Sequence, residues 1–442
     1  MNLRAVLSVM LGVIIVTLDI SLTSTAVPAI AKGLGVAPSS TIWIINTYYL
    51  AVIAALLPLA ALGEIFGHRR VFFLGLGVFA LGSLASGLSQ TLPWLMASRG
   101  LLGIGSAAVS ATTPALIKTL YPPAKLGRGL GIYAMFVGVA FSIGPTVTST
   151  VLAIADWHWI FICNAPVALV ALGLALKGLP ATEKNVRPFD AVAALLCAAT
   201  FAALLAGISG AAHLDALLAI GALSTAAICG YWLRRREAGR DSPVFAVDLF
   251  RIRLFTLSAM TAIFAFVVQG LVFVILPFLF MFRLGYSQVE AGFLITPWPV
   301  TLAAMTFVAA PLSTRVAPGI LGGIGLLIVA VGLVLLVTLP EDADVFDISW
   351  RLVFCGVGFG LFQSPNMVAL MSSAPANRSG SAGGIVATSR LLGQSLGAAA
   401  VAFCLVVLGD NGIVASLWLG AIVAVVGAVV SLARLLSFVK AT

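Results

Sequence analysis

Long apolar runs alternate with short polar breaks along the whole chain. A hydrocarbon core takes about 20 apolar residues per helix. On that ruler spans fall near 5–30, 41–62, 71–90, 94–118, 128–152, 157–178, 190–210, 215–233, 253–282, 290–310, 318–339, 349–371, 381–408 and 413–436. The pattern therefore predicts about fourteen transmembrane helices. Lipid offers the backbone no hydrogen-bond partners, so helices are required. A membrane barrel would need short segments of alternating hydrophobicity instead. The expected fold class is an all-α integral membrane protein. Composition agrees, because 61% of the 442 residues are hydrophobic and 9% are charged. A soluble domain carries about 25% charged residues. The first run, Ala5 to Pro28, is long enough to span and shows no convincing cleavage site. Apolar segments then recur to the C-terminus, which argues against a signal peptide.

Charge sets the expected orientation. With the N-terminus inside, nineteen Lys and Arg fall on the inner side, among them Arg69, Arg70, Arg234, Arg235, Arg236, Arg240, Arg378 and Arg434. Three fall outside, Lys32, Arg283 and Arg351, while Arg99 and Arg390 lie within spans. This bias fits the positive-inside rule and places both termini in the cytoplasm. Acidic Glu341, Asp342, Asp344 and Asp347 share one outer loop. The net charge of +9 thus reads as topology, not as nucleic-acid binding. The longest polar stretch, Arg234 to Arg253, separates eight spans from six. A solvated connector is the simpler reading of it than a lipid-binding or nucleic-acid-binding segment.

The informative rarity is Asp19. It lies roughly 20 Å into the first span at 1.5 Å per residue. A carboxylate at that depth costs several kcal/mol unless hydrated or paired. Burial opposes its charge and a nearby cation favours it, so the group is poised to bind and release protons beside a water-accessible hollow. It would also attract a cationic substrate. Arg99 is the candidate partner. It lies about 10 Å below the outer end of its span, and Asp19 about 15 Å below the outer end of its own. Contact between the two spans is an assumption at this point. Trp43, Asn46, Tyr49, Asn164, Gln269, Phe273, Trp298, Gln363 and Asn366 are further candidates to line a substrate cavity, with Phe266 among the accompanying aromatics. Aromatic faces suit organic cations. Interhelical hydrogen bonding or packing is the bland alternative for each.

Other chemistry is sparse. Cys163, Cys197, Cys229, Cys355 and Cys404 lie in apolar segments without metal spacing, and are expected to be small buried hydrophobes. His68, His158 and His213 fall near span ends. No nucleophile–base pair, phosphate loop or metal cluster is visible, so an enzyme is not expected. GLLGIGSAA (100–108) and GQSLGAAA (393–400) allow close helix approach.

Several segments resemble the major facilitator superfamily, in its fourteen-span drug:proton antiporter branch. LDISLTSTAVP (18–28) is similar to the branch's LD-x-T-x-V-N-V-A-L-P motif, with Asp19 on its acid. ALGEIFGHRR (61–70) resembles G-x-L-x-D-R-x-G-R-R, and RGLLGIGSAA (99–108) resembles R-x-x-Q-G-x-G-x-A, with Arg99 on its Arg. GVAFSIGPTVTST (138–150) resembles the antiporter motif G-x-x-x-G-P-x-x-G-G. WHWIFICNAP (157–166), TPWPV (296–300), GFGLFQSPN (358–366) and TSRLLGQSLGAA (388–399) also look like this branch. The last three look closest to a subgroup of bacterial multidrug exporters.

The resemblance implies two six-helix bundles, 1–180 and 253–442, with two inserted helices and a basic connector over 181–252. It implies proton coupling at Asp19 and Arg99, and gating by Glu64, Gly67, Arg69, Arg70, Gly144, Pro145 and Arg390. Glu64 would meet the start of the penultimate helix, near Ser381 and beside Arg378. The departures are Ala60 and Glu64 for the loop motif's first Gly and its Asp, Ile65 for an Arg, Leu102 for a Gln, and Thr148 and Ser149 for the closing glycines. They weaken the case for antiport more than the case for the fold. No second acid lies deep in the later spans, so divalent cations are expected to be poor substrates. The expected activity is export of lipophilic, cationic compounds in exchange for protons, with no cofactor, in a bacterial inner membrane and as a monomer. The alternative is an exporter or facilitator of a natural metabolite such as a siderophore or organic acid. An anionic substrate would then shift the key role to Arg99 and Arg390, and charge-reversed substrates in one transport assay would discriminate.

Overall fold

A computed structural model describes residues 3–122, 126–180, 190–212, 214–237, 247–313, 315–340, 342–374 and 379–435. Every long element among them is a helix. The chain divides into two compact units, Met1–Val244 and Phe245–Thr442. The first unit holds α1 (Leu3–Leu34), α2 (Pro38–Phe66), α3 (His68–Gly87), α4 (Leu92–Leu120), α5 (Leu126–Ile154), α6 (His158–Ile162), α7 (Asn164–Gly178), α8 (Ala191–Ala212) and α9 (Ala216–Glu237). The second holds α10 (Arg253–Phe278), α11 (Gln288–Ile295), α12 (Pro297–Leu312), α13 (Pro318–Val337), α14 (Val345–Ser373), α15 (Ser379–Leu408) and α16 (Gly412–Ala433).

The expected spans match these helices to within about four residues at each end. Two of them are broken. Pro166 has no N–H to reach the carbonyl of Ile162, so the helix interrupts at Cys163 between α6 and α7. Pro297 and Pro299 do the same at Thr296, between α11 and α12. Among the described residues, thirteen stretches are long and apolar enough to cross a membrane. The last of these, Ala382–Ala433, contains both α15 and α16, which a 3-10 turn at Gly409–Asn411 divides.

Within the first unit α4 packs between α2 and α3, and α1 packs on α5 and α7. The close approach of α4 to α3 depends on Gly105, where a methyl group would collide with the Phe79 backbone. Leu22, Ala26, Ile30, Ile44, Leu95, Trp157, Ile160 and Phe161 form a core cluster there. The inserted hairpin belongs to this unit, since α9 packs on α8 and α8 packs on α2. In the second unit α10 lies against α15 and α16, with Gly397 pressed onto the α10 backbone at Val267. The glycine stripes read from the sequence are thus contact seams between helices. Of the cysteines, Cys197, Cys355 and Cys404 are buried and Cys229 is half-buried. Cys163, at the α6–α7 break, is exposed, contrary to the expectation. His213, Arg240, Glu341 and Arg378 lie outside the described residues.

Candidate functional site

Asp19 sits midway along α1 and is 0% exposed. Arg99, about two turns into α4, is 1% exposed. The contact assumed from depth alone is present in the structure. Arg99 Nη1 donates to both carboxylate oxygens of Asp19, at 3.0 Å and 2.7 Å. Asn164, the first residue of α7, donates from Nδ2 to Oδ1 at 3.3 Å. One nitrogen serves both oxygens, so this is not the parallel two-nitrogen fork that arginine can make. The guanidinium Nε is buried without a hydrogen-bond partner among the described residues. Two rings hold the group instead. The guanidinium carbon lies 4.6 Å from the Tyr48 ring centre and 5.4 Å from that of Phe161.

The backbone around Asp19 is braced by α5. Pro145 lacks an N–H, which leaves the Phe141 carbonyl without its helical partner. The Ser21 hydroxyl donates to that carbonyl at 3.0 Å. Gly144 makes the approach possible, because a Cβ there would strike the Ser21 side chain. Thr148, which replaces a glycine of the motif, donates to the Leu22 carbonyl at 3.2 Å. Its neighbour Ser149 is buried with an unpaired hydroxyl among the described residues. The departure at Thr148 therefore adds a tie between α1 and α5 instead of loosening them.

Asp19 exposes no surface to solvent in this conformation. Its side chain is enclosed, so proton exchange requires a state in which water reaches it. Asn46 is buried on α2, with neither its amide nitrogen nor its oxygen hydrogen-bonded among the described residues. Tyr49 is buried with its ring edge-on to Tyr48 at 5.7 Å, one ring removed from Arg99. Trp43 is half-buried on the same helix.

The second unit has an uncharged counterpart. Gln394 on α15 donates from Nε2 to Gln269 Oε1 on α10 at 3.0 Å. Aromatic rings follow along α10, α12 and α14: Phe273 to Trp298 at 5.9 Å, Trp298 to Phe359 at 6.4 Å, and Phe359 to Phe266 at 6.0 Å. Trp298 Nε1, Gln394 Oε1 and Gln363 Oε1 are buried without hydrogen bonds among the described residues. Each such atom costs about 1–3 kcal/mol when nothing answers it. Asn366 is engaged elsewhere. Its Oδ1 accepts from Arg434 Nη1 at 2.8 Å, and its Nδ2 donates to the Ser258 carbonyl at 3.3 Å. That side chain is held in a helix clasp, with one hydrogen bond at each polar atom.

The loop residues sit at the other end of α2. Gly67 links α2 to α3 at φ +94°, a left-handed turn that favours glycine. Arg69 donates to the Leu176 carbonyl at 3.1 Å and lies over the Phe73 ring. Glu64 and Arg70 are exposed, and Arg390 is half-buried on α15. The contact expected of Glu64 involves Arg378, which is outside the described residues.

The family model described as Major Facilitator Superfamily matches residues 9–398. The chain belongs to the Major Facilitator Superfamily. A transporter of Escherichia coli (strain K12), YebQ, is 43% identical over 97% of this chain and 94% of its own length. The riboflavin transporter RibZ of Clostridioides difficile (strain 630) is 28% identical over 88% of this chain and 85% of its own. The tetracenomycin C resistance and export protein of Streptomyces glaucescens is 30% identical over 89% and 74%. Among solved structures, a D-xylose–proton symporter superposes with a TM-score of 0.71 at 16% identity, covering 97% of this chain and 96% of its own. That likeness shows the superfamily fold alone.

Within this superfamily member, four features of the site escaped the sequence reading. Tyr48 and Phe161 are ordinary aromatics until the fold places them on Arg99. Gln394 could have been paired with Gln269, as both are amides inside apolar runs. Arg434 reads as a loop charge in the sequence, yet it is 1% exposed. Its position between Ala433 and Leu435, at the end of an apolar run, was the available signal.

Proposed function

We propose that this transporter exports lipophilic cations in exchange for protons, with Asp19 as the proton carrier. The observation that supports the reading is a fully buried carboxylate whose described counter-ion is one arginine. Such a pair is neutral overall. Protonating Asp19 leaves Arg99 as a buried cation, which repels a bound organic cation and favours its release. A cationic substrate entering near the carboxylate favours loss of the proton. Binding of proton and substrate is thereby mutually exclusive, which is the requirement for antiport. Arg99, clamped between two rings, stays in place while the proton moves. The Gly144–Pro145 junction braces α1 beside the pair. Relatives named as multidrug resistance and efflux proteins, such as Stp of Mycobacterium tuberculosis (29% identical) and LfrA of Mycolicibacterium smegmatis (27% identical), support the same direction.

The free energy would come from the proton gradient, with no bound cofactor. The excess of Lys and Arg on one side of the spans supports a cytoplasmic location of both termini. The reading further takes the protein as a monomer in a bacterial inner membrane, opened and closed by rocking of its bundles. A second reading is export of an uncharged or anionic natural metabolite. The neutral amide pair Gln269–Gln394 beside aromatic residues favours it, as does the likeness to a riboflavin transporter.

Proteoliposomes with an imposed proton gradient separate the two. Under the first reading wild-type protein drives uptake of a lipophilic fluorescent cation, and Asp19→Asn abolishes the gradient-driven part. Gradient-driven transport that survives intact in Asp19→Asn, or transport confined to neutral and anionic compounds, would overturn it.

A further inference from the structure

The inserted hairpin has a lipid-facing helix with an unusual end. On α9 the described buried residues are Ala219, Ala226, Leu233 and Glu237, a single seam at heptad-like spacing. Leu217, Ile220, Ile228, Tyr231 and Trp232 all point outward, while Leu223 packs on Gly207 of α8. The main helix against α9 is α8, so most of its circumference is left to lipid. Three exposed arginines, Arg234, Arg235 and Arg236, close the helix.

The three arginines are not equivalent. Arg236 donates from Nε to both oxygens of Asp190 at 3.0 Å and 2.9 Å, pinning the end of α9 to the start of α8. Asp190 also caps α8 by accepting from the Ala193 amide at 2.9 Å. Glu237 is buried on the seam. Arg235 folds back over the Tyr231 ring, its guanidinium carbon 5.0 Å from the ring centre. Tyr231 in turn meets Trp232 edge-on at 6.0 Å. Arg234 and Arg235 have no carboxylate partner among the described residues. Two cations with no acid among the described residues therefore sit within one turn of two exposed interfacial aromatics, on a helix whose face away from α8 is left to lipid. Aromatic rings of this kind settle at the headgroup level.

We infer that Arg234 and Arg235, with Tyr231 and Trp232, form a binding site for an anionic phospholipid in the leaflet at the arginine end of the hairpin. The phosphate lies between the two guanidinium groups, and the acyl chains run along Ile228 and Ile220. Arg236 and Asp190 build the site without touching the lipid, by fixing the helix end. The bound lipid seals α9 against α8 from outside and is independent of the charge pair at Asp19.

The test uses the full-length protein in nanodiscs of equal phosphatidylglycerol and phosphatidylcholine content. Native mass spectrometry counts the lipids retained after release. Two arginines at a membrane surface each contribute enough for wild-type protein to retain the anionic lipid roughly tenfold in preference. Arg234→Gln/Arg235→Gln is expected to erase the preference, and Arg234→Lys/Arg235→Lys to keep most of it. A wild-type-based arm covers poor expression of the double variant. Brominated phosphatidylglycerol is expected to quench tryptophan fluorescence more than brominated phosphatidylcholine, and Trp232→Phe to remove that excess. Inorganic phosphate at millimolar concentration is expected not to displace the lipid; displacement would assign the site to a free anion. Equal retention of both lipids by wild-type protein, or an unchanged preference in the glutamine variant, would overturn the proposal.

Discussion

Two arginines are buried to the same degree, one in each unit, and they are satisfied in opposite ways. Among the described residues Arg99 is met by a carboxylate and two aromatic rings. Arg434, at the end of α16, is met by neutral oxygens alone among the described residues. It donates to Asn366 Oδ1 at 2.8 Å, the Ser258 hydroxyl at 3.2 Å, the Ser431 carbonyl at 3.1 Å, and also to the Ser431 hydroxyl. The C-terminal end of a helix carries partial negative charge, which supports a cation there without an acid. The clasp at Arg434 ties together α10, α14 and α16. Nothing in it can change charge by taking up a proton at ordinary pH. The Asp19–Arg99 pair can, because its carboxylate has two chemically accessible states. The same residue type thus serves as a fixed staple in one unit and, under the proposed function, as half of a switch in the other.

Breaking each arginine should expose that difference, with the largest effect at Arg99. Arg99→Leu leaves Asp19 as an unpaired buried acid and is expected to destabilise the protein by about 3–5 kcal/mol. Adding Asp19→Asn should restore most of that loss, which thermal unfolding in detergent would register. Gly144→Val inserts a side chain against Ser21 and should cost about 1–3 kcal/mol through overpacking, with gradient-driven transport falling as α1 shifts. Arg434→Met should also cost about 1–3 kcal/mol, from acceptors left unpaired. In contrast to the Asp19 variants, it should leave the ratio of gradient-driven to passive transport unchanged. If Arg434→Met uncoupled transport at normal stability, the division into staple and switch would be wrong. The smallest effect is expected at Gln269→Leu. It leaves the Gln394 amide without its acceptor at a cost of about 1 kcal/mol, and weakens the binding of hydrogen-bonding substrates more than that of simple cations.

Much of the architecture was legible because lipid imposes a strict rule. Every crossing must be apolar and long enough, so span limits could be read from runs alone. Asp19 and Arg99 stood out for the same reason, as rare charges inside those runs. Depth alone brought them level, though it could not bring α1 and α4 together. What stayed hidden depends on helix rotation and neighbours. Tyr48 and Tyr49 are adjacent in sequence, yet Tyr48 stacks on Arg99 and Tyr49 lies one ring away. Asn366 looked like a cavity residue, and only the placement of Arg434 shows that its amide is taken. The breaks at Cys163 and Thr296 were implicit in Pro166, Pro297 and Pro299, but an apolar run hides a kink from a length-based reading. Enclosure of Asp19 is a property of one conformation, which no sequence pattern specifies.

The proposed exchange of proton for substrate at Asp19 is best tested without a membrane. Purified protein in weakly buffered detergent solution is mixed with a lipophilic cation while pH is followed. Wild-type protein is predicted to release protons in proportion to the substrate bound, and Asp19→Asn to bind without release. Substrate binding to wild-type protein with no proton release, or equal release from Asp19→Asn, would contradict the account.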